Sequence, residues 1–204
     1  MRLPAHGVVV LCLALAAMVA PAHAQAPPAP AGRAEVMTNQ LGPLTRDTRA
    51  ALSPVTAYFQ AGALRLEFTD KAGNPLALVL PAGSTTGWVL DGKGGAVPLP
   101  GIRWPLQFDP QAPCTGQGMF ADCQRMDGGI YAGRNASRWR YRLANATGPG
   151  QTRQGSMWLD AETGLVLAYE GRTGLGQDHR WQVRQVSYRP VPPALFEVPS
   201  VPHP

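Results

Sequence analysis

The amino-acid sequence predicts an exported, mainly β (α+β) domain of antiparallel strands, with few short helices and an irregular insert that carries a disulfide. Three observations lead there. The 23 glycines and 21 prolines in 204 residues break the chain too often for a helical bundle or coiled coil. The strongest apolar period is two, the repeat of a strand with one buried face. The alternating runs are joined by tight turns, whereas a parallel crossover needs about a dozen residues. An apolar content of 45% over 204 residues suffices for one domain with a real core.

Residues 1–24 read as a cleavable secretory signal, with Arg2 near the start, an apolar run over 7–20, and Ala22 and Ala24 in a small-x-small pattern before Gln25. The run would span about 21 Å as a helix, short of the roughly 30 Å of a bilayer core. Cys12 sits inside the run rather than at the cut, so no lipid anchor is expected, and no later run is long enough to span a membrane. The expected location is periplasmic or secreted. Residues 25–32 (QAPPAPAG) form a Pro/Ala linker, 33–198 one domain, and 199–204 a Pro-rich tail. Cleavage removes Arg2 alone among the charges, taking the net charge from +5 to +4.

Within the domain, residues 55–60 form a short strand that turns through Ala61 and Gly62. In 64–69, Leu64, Leu66 and Phe68 alternate with Arg65, Glu67 and Thr69, which gives a strand with one buried face. Residues 76–80 are apolar without alternation, as expected of a strand covered on both sides. Residues 87–90 read as a further strand entering an Asp-Gly turn. The segment 41–53 holds a helical turn or two, and 192–196 a single turn opened by proline. Residues 105–129 show neither period and form the irregular insert.

Further along, Trp139, Tyr141 and Leu143 alternate with Arg138, Arg140 and Arg142, followed by a polar loop and a strand over 155–160. Asp160 to Gly164 forms a hairpin turn with glycine where positive φ is needed, leading into a strand over 165–170. The last strand, 180–188, sets Trp181 and Val183 on one face and switches parity near Gln185, the mark of a bulge. Only Cys114 and Cys123 remain after cleavage, and in an exported chain they most simply form one disulfide.

No catalytic signature emerges. His179 is the only interior histidine of the mature chain and reads as a solvated turn residue; G-x-S-x-G, phosphate loops and C-x-x-C are absent from the mature chain. No metal site, cofactor or nucleic-acid partner is expected. Arginine outnumbers lysine 16 to 2, and Arg138, Arg140 and Arg142 project from one strand face, which suits bidentate contact with anionic groups or a solvated outer face. Trp139, Tyr141, Leu143, Trp158, Trp181, Val183, Leu66 and Phe68 are candidates for one inner surface, as a filled core or as the wall of an apolar cavity.

Residues 133–140 (GRNASRWR) with 155–167 (GSMWLDAETGLVL) resemble the "G-x-x-A-x-x-W … WlD-x-x-tGl-x-L" strand pairs of the LolA/LolB-like lipoprotein-carrier superfamily and its periplasmic relatives. Residues 192–199 (PPALFEVP) resemble its closing "lF-x-vP". The resemblance implies a single strongly curved antiparallel sheet, a half-barrel around a hydrophobic cavity. It further implies a non-enzymatic binding protein whose partner is a lipid or lipoprotein acyl chain. The alternative is an interaction or sensor module that presents its arginine face to an envelope protein or other anionic partner.

Overall fold

A computed structural model describes residues 29–45 and 51–198; the expected signal segment, the first half of the expected linker and the tail lie outside the described residues. The elements are β1 (Gly32–Thr38), the single-turn helix α1 (Gly42–Thr45), β2 (Ser53–Gln60), β3 (Ala63–Thr69), β4 (Pro75–Leu80), β5 (Thr86–Asp91), β6 (Ala96–Pro100), β7 (Asp122–Tyr131), β8 (Arg134–Arg142), β9 (Thr152–Asp160), β10 (Val166–Thr173) and β11 (Asp178–Ser187). A 3-10 turn over Pro193–Phe196 follows. The strands form one curved antiparallel sheet of 11 strands, in the order β6-β5-β4-β3-β2-β1-β11-β10-β9-β8-β7. The chain starts mid-sheet, meanders out to the β6 edge, crosses to the β7 edge, and meanders back until β11 pairs with β1.

Register assigns the faces. Trp139 on β8 lies opposite Met157 on β9, Met157 opposite Tyr169 on β10, Tyr169 opposite Trp181 on β11, and Trp181 opposite Thr38 on β1. Ala57, Leu66 and Leu78 continue the same inner face through β2, β3 and β4. All of these side chains are buried. The parity switch near Gln185 is a bulge: Val36 pairs with Val183 but Glu35 with Gln185, leaving Arg184 as the extra residue. On β4, Ala77 to Leu80 are buried on both faces, as their lack of alternation implies.

The irregular insert differs from expectation in two ways. Its end is β7, the ten-residue strand at one edge of the sheet. Its beginning belongs to an extended strap, residues 101–121, which crosses the inner face. Ile102 packs where a Cβ on Gly87 of β5 would sit, 2.8 Å away. Trp104 meets Trp181 of β11 edge-on, with ring centroids 5.7 Å apart. At the far side, Val166 N–H donates to Leu106 O (2.7 Å) and Phe108 N–H to Gly164 O (3.0 Å), tying the strap to the β9–β10 hairpin. Gly164 has φ 72°, the expected left-handed turn position. A Cβ there would also lie 2.0 Å from Phe108 O, so glycine lets the strap approach. Cys114 and Cys123 form the expected disulfide, which fastens the end of the strap to the start of β7.

Candidate functional site

The inner-face candidates form packed interior. Leu66, Phe68, Trp139, Tyr141, Leu143, Trp181 and Val183 are all buried in one apolar cluster with Leu41 and Phe108; Leu44, Ile102, Trp104 and Leu106 pack against it. Tyr169 and Trp181 are stacked with centroids 6.4 Å apart. The Tyr141 hydroxyl shares a hydrogen bond with Thr152 Oγ1, which donates to Pro149 O at 2.6 Å; burial pushes this phenol up to about 12. The expected hollow is thus occupied by the strap and the α1 region.

Trp158 requires a correction. It pairs with Arg138, not with Trp139, and therefore projects from the outer face. Met157 and Leu159 hold the inward positions of β9. Outside, the Trp158 ring lies under the Arg138 guanidinium (4.8 Å) and against Tyr131 (6.0 Å), an arrangement that keeps a half-buried indole satisfied at the surface. Burial pushes the Tyr131 phenol up, and the nearby Arg184 opposes the shift.

Arg138, Arg140 and Arg142 share that outer face. Their rows run across the sheet: Arg140 faces Gln124 and Ser156, with Glu170 and Arg180 beyond; Arg142 faces Asp122 and Gln154, with Arg172 and Asp178 beyond. Arg172 pairs with Asp178 at 3.0 Å. Arg140 donates to Gln124 Oε1. Among the described residues no ion pair engages Arg138, Arg140, Arg142, Arg180 or Arg184, and with only Asp122, Glu170 and Asp178 in the same rows this half of the face carries a positive balance.

Two polar clusters were not anticipated. Asp160, buried at the end of β9, accepts from Arg134 Nε and the Tyr188 hydroxyl (each 2.8 Å) and from the N–H groups of Glu162 and Thr163. Burial raises this carboxyl, but the donors prevail and hold it below the ordinary carboxylate range. His179 is half-buried rather than solvated, with Nδ1 2.8 Å from Gly150 O and 3.1 Å from Gln40 Nε2. Both clusters pin strand ends, and neither sets a nucleophile beside a base. Among the described residues no group of three metal-ligating side chains gathers.

Two further concavities lie among the described residues. One, of about 710 Å³, lies on the outer face of the N-terminal half, across the row Glu35, Thr56, Glu67, Ala77 and Leu90. The other, of about 520 Å³, lies between the strap and the strand ends and includes Leu64, Leu80, Ile102, Trp104 and Thr147. Trp104 Nε1 and Thr147 Oγ1 in its wall lack hydrogen-bond partners.

No family profile and no curated protein matches the sequence. Solved structures do resemble the chain. An uncharacterised conserved protein from Thermus thermophilus is 11% identical with a TM-score of 0.50, over 82% of this chain and 84% of that one. A MucB structure is 16% identical (TM-score 0.43, 86% of this chain), and this chain spans 59% of its length. A LolA superfamily protein from Nitrosomonas europaea is 10% identical (TM-score 0.40), over 84% of this chain and 91% of that one. At these identities the likeness is one of fold, the curved antiparallel sheet that the C-terminal motifs imply. No described helix is long and apolar enough to cross a membrane.

Proposed function

We propose that this protein is a non-enzymatic binding module of the periplasm whose outer sheet face docks an acidic protein partner. One observation supports the reading: the strap packs into the interior, while Arg138, Arg140 and Arg142, with Arg180 and Arg184 nearby, outnumber the carboxylates of the same face, Asp122, Glu170 and Asp178. A structure similar in fold is that of the Pseudomonas aeruginosa MucA/MucB complex, in which MucB has a protein partner. The mature protein, immobilised and exposed to envelope extract, is expected to capture a partner that about 0.5 M salt releases. Arg138→Glu, Arg140→Glu and Arg142→Glu together should abolish capture while circular dichroism shows the sheet still folded. Unchanged capture by that variant removes the reading.

A second reading is favoured by the 520 Å³ concavity, whose mixed wall, with Leu64, Leu80 and Ile102 beside Arg103 and the unpartnered Trp104 Nε1 and Thr147 Oγ1, suits a small amphiphile. A fluorescent fatty acid should brighten with the wild type and not with Thr147→Trp, which fills the space from its rim. Absence of brightening with the wild type rejects it.

A further inference from the structure

The sheet has two unlike edges. β6 is five residues long and carries Pro98 and Pro100, which have no main-chain donor to offer a further strand. β7 runs for ten residues without a proline, and no main-chain bond from a described residue lies on its outer side. A bulge interrupts it where Asp127 and Gly128 stand opposite Ser137, leaving regular pairing with β8 on either side. Large apolar side chains flank this open edge. Met119 (90% exposed) and Phe120 (79%) stand just before it, in the loop closed by the disulfide, and Ile130 (72%) stands near its far end.

Charge is placed on both faces of the same edge. Arg140 reaches over β7 from the outer side to Gln124. Arg125, exposed on β7 itself, lies over the Trp139 ring at 5.9 Å on the inner side. Asp122 and Asp127 offset these in part, but Arg138 and Arg142 on the adjoining strand leave the balance positive. An edge strand with unpaired amides, a positive rim and exposed apolar ends fits strand addition, in which main-chain bonds supply affinity and side chains supply selectivity.

We propose that the free edge of β7 takes an extended acidic segment of a partner protein as an added strand. This rests on the reading of the arginine face and names the form in which its partner arrives. The segment runs along Asp122–Tyr131, its carboxylates meeting Arg125 and Arg140 and its apolar residues meeting Phe120 or Ile130.

The test uses the mature protein and a peptide of about eight residues built from Glu-Glu-Val-Val repeats, which sets carboxylates on both faces of the added strand, with a Lys-Lys-Val-Val peptide as control. Amide hydrogen exchange is the readout. With the acidic peptide, exchange at alternate residues of β7 should slow by about tenfold or more, and Arg125→Glu with Arg140→Glu should weaken binding by about tenfold. The proposal is overturned by no binding, by equal binding of both peptides, or by binding that leaves β7 exchange unchanged. Protection of β7 that rises with protein concentration in the absence of peptide would assign the edge to a second copy of this chain, and also overturns it. If the triple arginine variant loses capture while β7 stays unprotected, strand addition fails and the arginine-face reading stands. If β7 is protected by the peptide but the triple variant captures normally, that reading fails instead.

Discussion

Asp160 shows how one side chain joins distant parts of this sheet. Its carboxylate holds Arg134 of β8, Tyr188 beyond β11, and the turn that leads into β10. Asparagine in its place is uncharged and offers one acceptor oxygen instead of two, although Arg134 keeps its bond to Glu162 (2.7 Å) and Tyr188 its contact with Thr163 (3.1 Å). Because Arg134 is about a third exposed, Asp160→Asn should cost about 2 kcal/mol at neutral pH, below the range for a fully buried pair. The sign with pH follows from the depressed carboxyl. Its contribution is present above the unfolded value near 3.8 and is lost as pH falls through the lower folded value. The stability difference between wild type and Asp160→Asn, measured by urea unfolding, should therefore shrink below about pH 4. A difference that stays constant to pH 2 would show that the charge is not what matters. The tryptophans provide a second residue-scale contrast. Trp181→Ala empties a buried, stacked position and should cost about 3–5 kcal/mol. Trp158→Ala removes only an outer-face contact with Arg138 and Tyr131, about 1–2 kcal/mol. Equal losses would place both rings in the core.

Among the elements, the strap decides whether the sheet encloses a core or a hollow. Gly164→Ala forces a Cβ against Phe108 O and strains a left-handed backbone, so it should loosen the strap from the β9–β10 hairpin at about 2–4 kcal/mol. Breaking the disulfide by Cys114→Ser with Cys123→Ser should cost about 2.5–3 kcal/mol, the chain entropy of a loop this short. Both are checked by thermal or urea unfolding, and melting unchanged in the Gly164 variant would mean that the strap does not depend on that contact. Elements with one clean buried face were legible from the sequence, namely β3, β8 and the β9–β10 hairpin. The bulge in β11 was legible from its change of parity. β1 was not, because its inward residues Ala34 and Thr38 are weak hydrophobic signals and outward Met37 is a strong one. β6 was hidden by its prolines. β7 was hidden because an edge strand need not bury a face, and its sequence holds two glycines. The strap did carry a signal, Ile102, Trp104, Leu106 and Phe108 alternating with Arg103, Pro105, Gln107 and Asp109, but it spans the start of the segment taken as irregular. Trp158 was misplaced because ring size suggests burial, whereas pairing with Arg138 fixes the face.

At the scale of the molecule, the two meanders wrap a strap whose Ile102, Trp104, Leu106 and Phe108 pack into the interior, which is why the proposed docking site is placed on the outer face. Positive charge gathers where β8 and its neighbours expose arginines, and the proposed docking there should weaken steeply with ionic strength. An open interior and a filled one would receive a partner at different places, and here Trp104 packs against Trp181 inside the sheet. Site-specific photo-crosslinking in the cell envelope separates the two most directly. A photoreactive residue is placed at Ser156, beside Arg140 on the outer face, or at Ala146, at the concavity by the strap. A partner protein crosslinked from position 156 and not from 146 is the expected result. Crosslinks from 146 alone, to lipid or to protein, would contradict an outer-face site.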